Sequence, residues 1–60
     1  MLKVLIKDIK RVKVDFGNKR ITFFSDNKTE EYKLDNTFLN LIDLLVSKKI
    51  IKLNDIEIKH

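Results

Sequence analysis

Sixty residues with 13 Lys plus Arg against 9 Asp plus Glu, 43% hydrophobic residues and neither cysteine nor proline are enough for one small domain over residues 1–60 and too few for two. A chain of 7.2 kDa buries only about 60% of its extended surface on folding, so hydrophobic gain and chain entropy nearly cancel. Disulfide and metal staples are closed to a chain with no Cys and a single His at position 60, which leaves a second copy or a larger partner as the expected source of extra stability.

No apolar run reaches the length of a membrane span, so no membrane contact is expected. The stretch from Met1 to Lys7 holds Lys3 and Lys7 and lacks a small-residue cleavage site, which reads against a signal peptide. The expected location is the cytoplasm, in keeping with the lack of cysteine. Abundant Lys, Ile and Asn is also the composition an AT-rich coding sequence yields, a plain cause for part of the basic balance.

The first fifteen residues read as extended. Val4 and Ile6 alternate with Leu5 and Lys7, and Val12, Val14 and Phe16 alternate with Arg11, Lys13 and Asp15, the period of a strand with one buried face. Ile9 falls on the wrong parity, which a bulge or short turn near Asp8 would repair by shifting the register. Gly17 and Asn18 then offer positive φ for a tight hairpin turn. The returning strand, Arg20 to Phe24, turns Ile21 and Phe23 one way and Arg20, Thr22 and Phe24 the other. Asp26-Asn27-Lys28 forms a second turn, and Glu30 to Leu34 a third strand with Tyr32 and Leu34 inward.

Asp35 or Asn36 is suited to cap a helix, whose core stripe is Phe38, Leu41, Ile42 and Leu45 at helical spacing. Leu39, Leu44 and Val46 widen the apolar surface beyond that stripe, which predicts either a dimer or partner interface or a helix wedged between the sheet and the N-terminal strand. In the tail, Ile51 and Leu53 alternate before Asn54-Asp55 and Ile56 and Ile58 after it, the pattern of a small hairpin or of one bulged edge strand. The predicted fold is α+β: a small antiparallel β-meander over about residues 2–34, packed against one helix over about 36–48 and followed by a short C-terminal strand or hairpin.

Candidate chemistry is sparse. Ser25 and Ser47 have no neighbouring base to activate them, and His60 sits at a terminus. Asp26, Glu30 and Glu31 flank a turn but match no calcium loop. A single glycine excludes phosphate-binding loops and dinucleotide fingerprints. Neither a catalytic residue nor a metal or cofactor is expected.

The charge is lopsided: residues 1–20 hold seven basic and two acidic residues, residues 21–60 six basic and seven acidic. The predicted function is that of a non-enzymatic accessory or adaptor protein acting through protein–protein contacts, as a homodimer or with a protein partner, with Leu39, Leu44 and Val46 at the interface. The competing reading is a small basic nucleic-acid-binding protein in which Arg11, Lys13, Arg20 and Lys33 on the outward sheet face contact phosphates and Phe24 stacks a base.

Overall fold

The computed structural model describes residues 6–59. A 3₁₀ turn at Ile6–Asp8 leads into strands β1 (Arg11–Asp15), β2 (Arg20–Phe24) and β3 (Thr29–Lys33), helix α1 (Asn36–Ser47), a second 3₁₀ turn at Leu53–Asp55 and strand β4 (Ile56–Lys59). Of the extended stretch expected before Asp8, residues 1–5 lie outside the described residues, and Ile6 and Lys7 are not extended but belong to the 3₁₀ turn.

Ile9 reaches the core through the register shift that its parity demanded. The Ile9 N–H closes the first turn on the carbonyl of Ile6 at 3.2 Å, and the Lys10 N–H donates to the carbonyl of Phe24 at 2.7 Å. Arg11 also faces Phe24 in the ladder, so two residues of one strand oppose one of the other, the count that defines a β-bulge. The extra residue resets the alternation, and Ile9 is buried together with Val12 and Val14.

The β1–β2 hairpin turn departs from expectation in its backbone. Positive φ falls on Lys19, at 55°, and not on Gly17 or Asn18. Asp15 holds the turn from its start: the Asn18 backbone N–H donates to Asp15 Oδ1 at 3.1 Å and Asn18 Nδ2 to Oδ2 at 2.9 Å. At the β2–β3 turn the Ser25 hydroxyl accepts from the Lys28 N–H at 3.1 Å, a structural use for a side chain that no base activates.

Helix α1 begins as its capping sequence requires. The Phe38 N–H donates to the Asp35 carboxylate at 3.1 Å, satisfying one of the amides that a first turn leaves open. It ends in a Schellman motif: the Ile50 N–H bonds the Leu45 carbonyl at 2.9 Å and the Lys49 N–H that of Val46 at 3.0 Å. Lys49 occupies the left-handed position of that motif, with φ 59°, where glycine avoids the Cβ clash. Lys49→Gly is therefore expected to raise stability by about 1 kcal/mol, measured by urea denaturation; a loss of stability would place the residue outside the left-handed region.

The four strands form one sheet in the order β3-β2-β1-β4. β1–β2 and β2–β3 are antiparallel, as expected of a meander, whereas β4 adds to the far side of β1 in parallel, making the sheet mixed. Of the two alternatives expected for the tail, the short C-terminal edge strand is the one formed, as Ile56–Lys59; the stretch before it does not extend the strand, because Leu53 lies in the 3₁₀ turn, where the Lys52 N–H donates to Asp55 Oδ2 at 3.0 Å. A 12-residue helix is about 18 Å long, enough to carry the chain over the roughly 14 Å between the outer strands of a four-stranded sheet.

The core lies between sheet and helix. Its fully buried side chains are Ile9, Val12, Val14, Ile21, Phe23, Leu45 and Ile51, with Tyr32, Leu34, Phe38, Leu41, Ile42, Val46, Ile50 and Ile56 packed partly buried around them. Phe23, Tyr32 and Phe38 form an aromatic cluster, with Tyr32 stacked on Phe38 at 5.1 Å between centroids and Phe23 meeting Tyr32 nearly edge-on at 6.1 Å.

Candidate functional site

Among the described residues every fully buried side chain is apolar, and no group of three or more His, Cys, Asp or Glu is placed to hold a metal ion. No described helix is long and apolar enough to cross a membrane. The candidate sites are therefore surfaces, and there are two.

The first is the sheet face turned away from the helix. Strand alternation and register bring all five residues singled out in the sequence onto it: Arg11 pairs with Phe24, Lys13 with Thr22 and Asp15 with Arg20, and Arg20 with Lys33. The same register interleaves carboxylates among the cations. Glu31 lies across Thr22, Glu57 across Lys13, and Asp15 between Lys59 and Arg20. The face is thus mixed in sign yet keeps a positive excess, because β3 brings Lys33 along with Glu31 and β4 brings Lys59 along with Glu57. Asp15 and Glu31 share the outward parity that strand alternation shows in the sequence, whereas Glu57 and Lys59 join this face only through the pairing of β4 with β1, a tertiary event.

Phe24 is half-buried, and the Arg11 guanidinium carbon lies 4.3 Å from its ring centroid. This cation–π contact, worth about 0.5–1 kcal/mol at an exposed site, occupies one face of the ring that would stack a base. On this face the fold makes the Asp15 carboxyl a stronger acid. The side-chain hydrogen bond from Asn18, followed by its backbone N–H, holds the Asp15 carboxyl below its ordinary 3.8, with a smaller contribution from the positive charge of Lys59. Its folded pKa lies below the unfolded one, so the ionised carboxylate contributes stability in full above the unfolded value, and that contribution is lost as pH falls through the folded pKa. An NMR titration of Asp15 is expected to give a midpoint below 3.8 that moves upward in Asn18→Ala; a wild-type midpoint at or above that value would contradict the hydrogen-bond assignment.

The second surface is apolar and belongs to the α1–β4 half of the chain. Of the three helix residues expected at an interface, Leu44 is 44% exposed, Leu39 is partly buried, and Val46 packs against the core, so much of the helix's breadth is consumed by its own sheet. Two further residues of this half, which helical periodicity could not supply, are exposed. Leu53 is 74% exposed and Ile58 is 53% exposed. Ile58 pairs with Val14 and so lies on the helix-covered side of the sheet, yet it remains open at the β4 margin. Its alternation with Ile56 in the sequence was the available signal, and it read equally well as a buried position.

No family model, no curated protein and no solved structure matches this chain, and geometry alone supports the functional reading.

Proposed function

We propose that the protein is a non-enzymatic accessory or adaptor that works through protein–protein contacts. The observation that supports this reading is the exposure of three large apolar side chains, Leu44, Leu53 and Ile58, on the elements that close the fold. A domain with a core this small gains more from covering them than a larger one would. Photo-crosslinking tests it: a benzophenone side chain at Leu44 or Leu53 is expected to yield discrete protein adducts in cells, and one at the exposed turn residue Lys28 to yield none. Equal labelling from all three positions would remove the reading.

A second reading keeps nucleic acid as the partner, favoured by the collection of Arg11, Lys13, Arg20, Phe24 and Lys33 on one sheet face. Its signature is salt dependence, since displacing counterions from phosphates makes affinity fall steeply with ionic strength. The interleaved Asp15, Glu31 and Glu57 oppose it. Sedimentation with a mixed pool of short DNA and RNA is expected to show no salt-sensitive shift; such a shift, abolished by Arg11, Lys13 and Arg20→Ser together, would make this face the working site.

A further inference from the structure

The two edges of the sheet are defended differently. On β3, Glu30 pairs with Phe23 and so sits on the helix side of the strand, an inward-facing charge of the kind that discourages edge-to-edge pairing. On β4 both positions of that side are isoleucine, Ile56 and Ile58, paired with Val12 and Val14. An edge whose inward positions are apolar and carry no charge is a template for another strand.

The direction of its peptide groups follows from one hydrogen bond. The Phe16 N–H donates to the Lys59 carbonyl at 3.0 Å, so Lys59 turns its peptide groups toward β1, as does Glu57 two residues earlier. Ile56 and Ile58 turn theirs away, to the open side. The Ile56 N–H is taken by the Leu53 carbonyl of the preceding turn. Among the described residues nothing pairs with the N–H and C=O of Ile58, and β4 ends the sheet.

We infer that this edge receives the β4 of a second copy of the chain, antiparallel, about a twofold axis perpendicular to the sheet at Ile58. The arrangement rests on the protein-contact reading above and names the partner for the β4 end of its apolar surface. Three features converge on this register. Ile58 exchanges both its N–H and its C=O with Ile58 of the second copy as a hydrogen-bonded pair. The two exposed Ile58 side chains cover each other on the helix side. On the other face Glu57 comes opposite the second copy's Lys59, and Lys59 opposite its Glu57, in the pairs where side chains approach most closely. Each chain already sets Glu57 beside Lys13 and Lys59 beside Asp15, so the alternation of charge from β1 to β4 continues into the β4 and β1 of the second copy. A two-residue shift of register would set Glu57 against Glu57 or Lys59 against Lys59.

The contact is small, and interfaces below about 1,200 Å² fall in the weak, transient class. Sedimentation equilibrium of the purified full chain from micromolar to millimolar concentration is expected to show a species of twice the 7.2 kDa chain mass. Ile58→Asp should remain monomeric and melt as the wild type does, because the position is more than half exposed. Glu57→Lys alone and Lys59→Glu alone should each weaken dimerisation by about tenfold or more, since each sets like charges at both symmetric pairs, and the double exchange should recover most of it. The recovery is diagnostic: within each chain the double exchange leaves Lys13 and Asp15 facing like charges, so an effect on the fold alone would not be rescued. Dimerisation unaffected by Ile58→Asp, or a double exchange no better than the single ones, would overturn the inference. So would a wild-type monomer at every concentration; if benzophenone at Leu44 or Leu53 still captured a different protein, the accessory reading would survive that result, and if it captured none, both would fall.

Discussion

Phe23→Ala should cost about 3–5 kcal/mol, the range for deleting a buried aromatic side chain. Phe23 is fully buried, lies on a central strand, and is the ring that ties β2 to both β3 through Tyr32 and α1 through Phe38 at 5.8 Å. Its removal opens a cavity where strand and helix meet, and the two remaining rings lose their shared neighbour. Against a total stability of about 3–9 kcal/mol for a chain of this length, the loss is comparable to the whole. The expected result is a variant with little or no folded baseline in a urea titration followed by far-ultraviolet circular dichroism. A cooperative transition displaced by less than about 1 kcal/mol would mean that the aromatic cluster is not the centre of the core.

Leu45→Asp and Leu44→Asp form the second test, one residue apart on the same helix. Leu45 is 0% exposed and Leu44 44% exposed, because successive helical residues are turned by about 100°. A carboxylate at Leu45 would be buried without a partner, at a cost of several kcal/mol, and the variant should fail to fold. At Leu44 the carboxylate reaches water, and the loss of stability should stay at about 1–2 kcal/mol, from partial burial, lower helix propensity and an acid near the helix C-terminus. If both variants melt alike, the helix is rotated from the orientation described. Leu44→Asp also separates folding from contact, since it should abolish capture at a neighbouring benzophenone while leaving the monomer intact.

Much of this architecture was legible because it is local. The alternation of Val12 and Val14, of Ile21 and Phe23, and of Tyr32 along its strand names the buried face of the meander, since a strand's side chains repeat every second residue. Phe38, Leu41, Ile42 and Leu45 mark the helix stripe for the equivalent reason, and Asp35 marks its start through its own carboxylate. The out-of-phase Ile9 called for a shift near Asp8, and the 3₁₀ turn and bulge supply it.

Positions that misled were those where one residue satisfies two patterns. Gly17 and Asn18 are the residues best suited to positive φ, yet in a four-residue loop spanning Phe16 to Lys19 the last position takes it. The loop's length and the Asp15 cap decide the conformation, and glycine's freedom goes unused. Val46 widened the helix's apolar face in the sequence and packs on the core in the fold, because α1 lies against a sheet broad enough to reach it.

By itself the sequence determined the meander strands, the helix, their inward faces, the helix cap and the absence of familiar nucleophile, phosphate-loop and calcium-loop motifs, all consequences of residue type and short-range periodicity, whereas both 3₁₀ turns replaced stretches that read as extended. Only the tertiary structure decided that β4 joins β1 in parallel, that Glu57 and Lys59 are set beside Lys13 and Asp15 on the outer face, and that Ile58 is left at an open margin. Strand pairing is a competition between distant edges, settled by how far a 12-residue helix can carry the chain across the sheet and by which edge accepts an apolar strand. No window of neighbouring residues contains both sides of that competition.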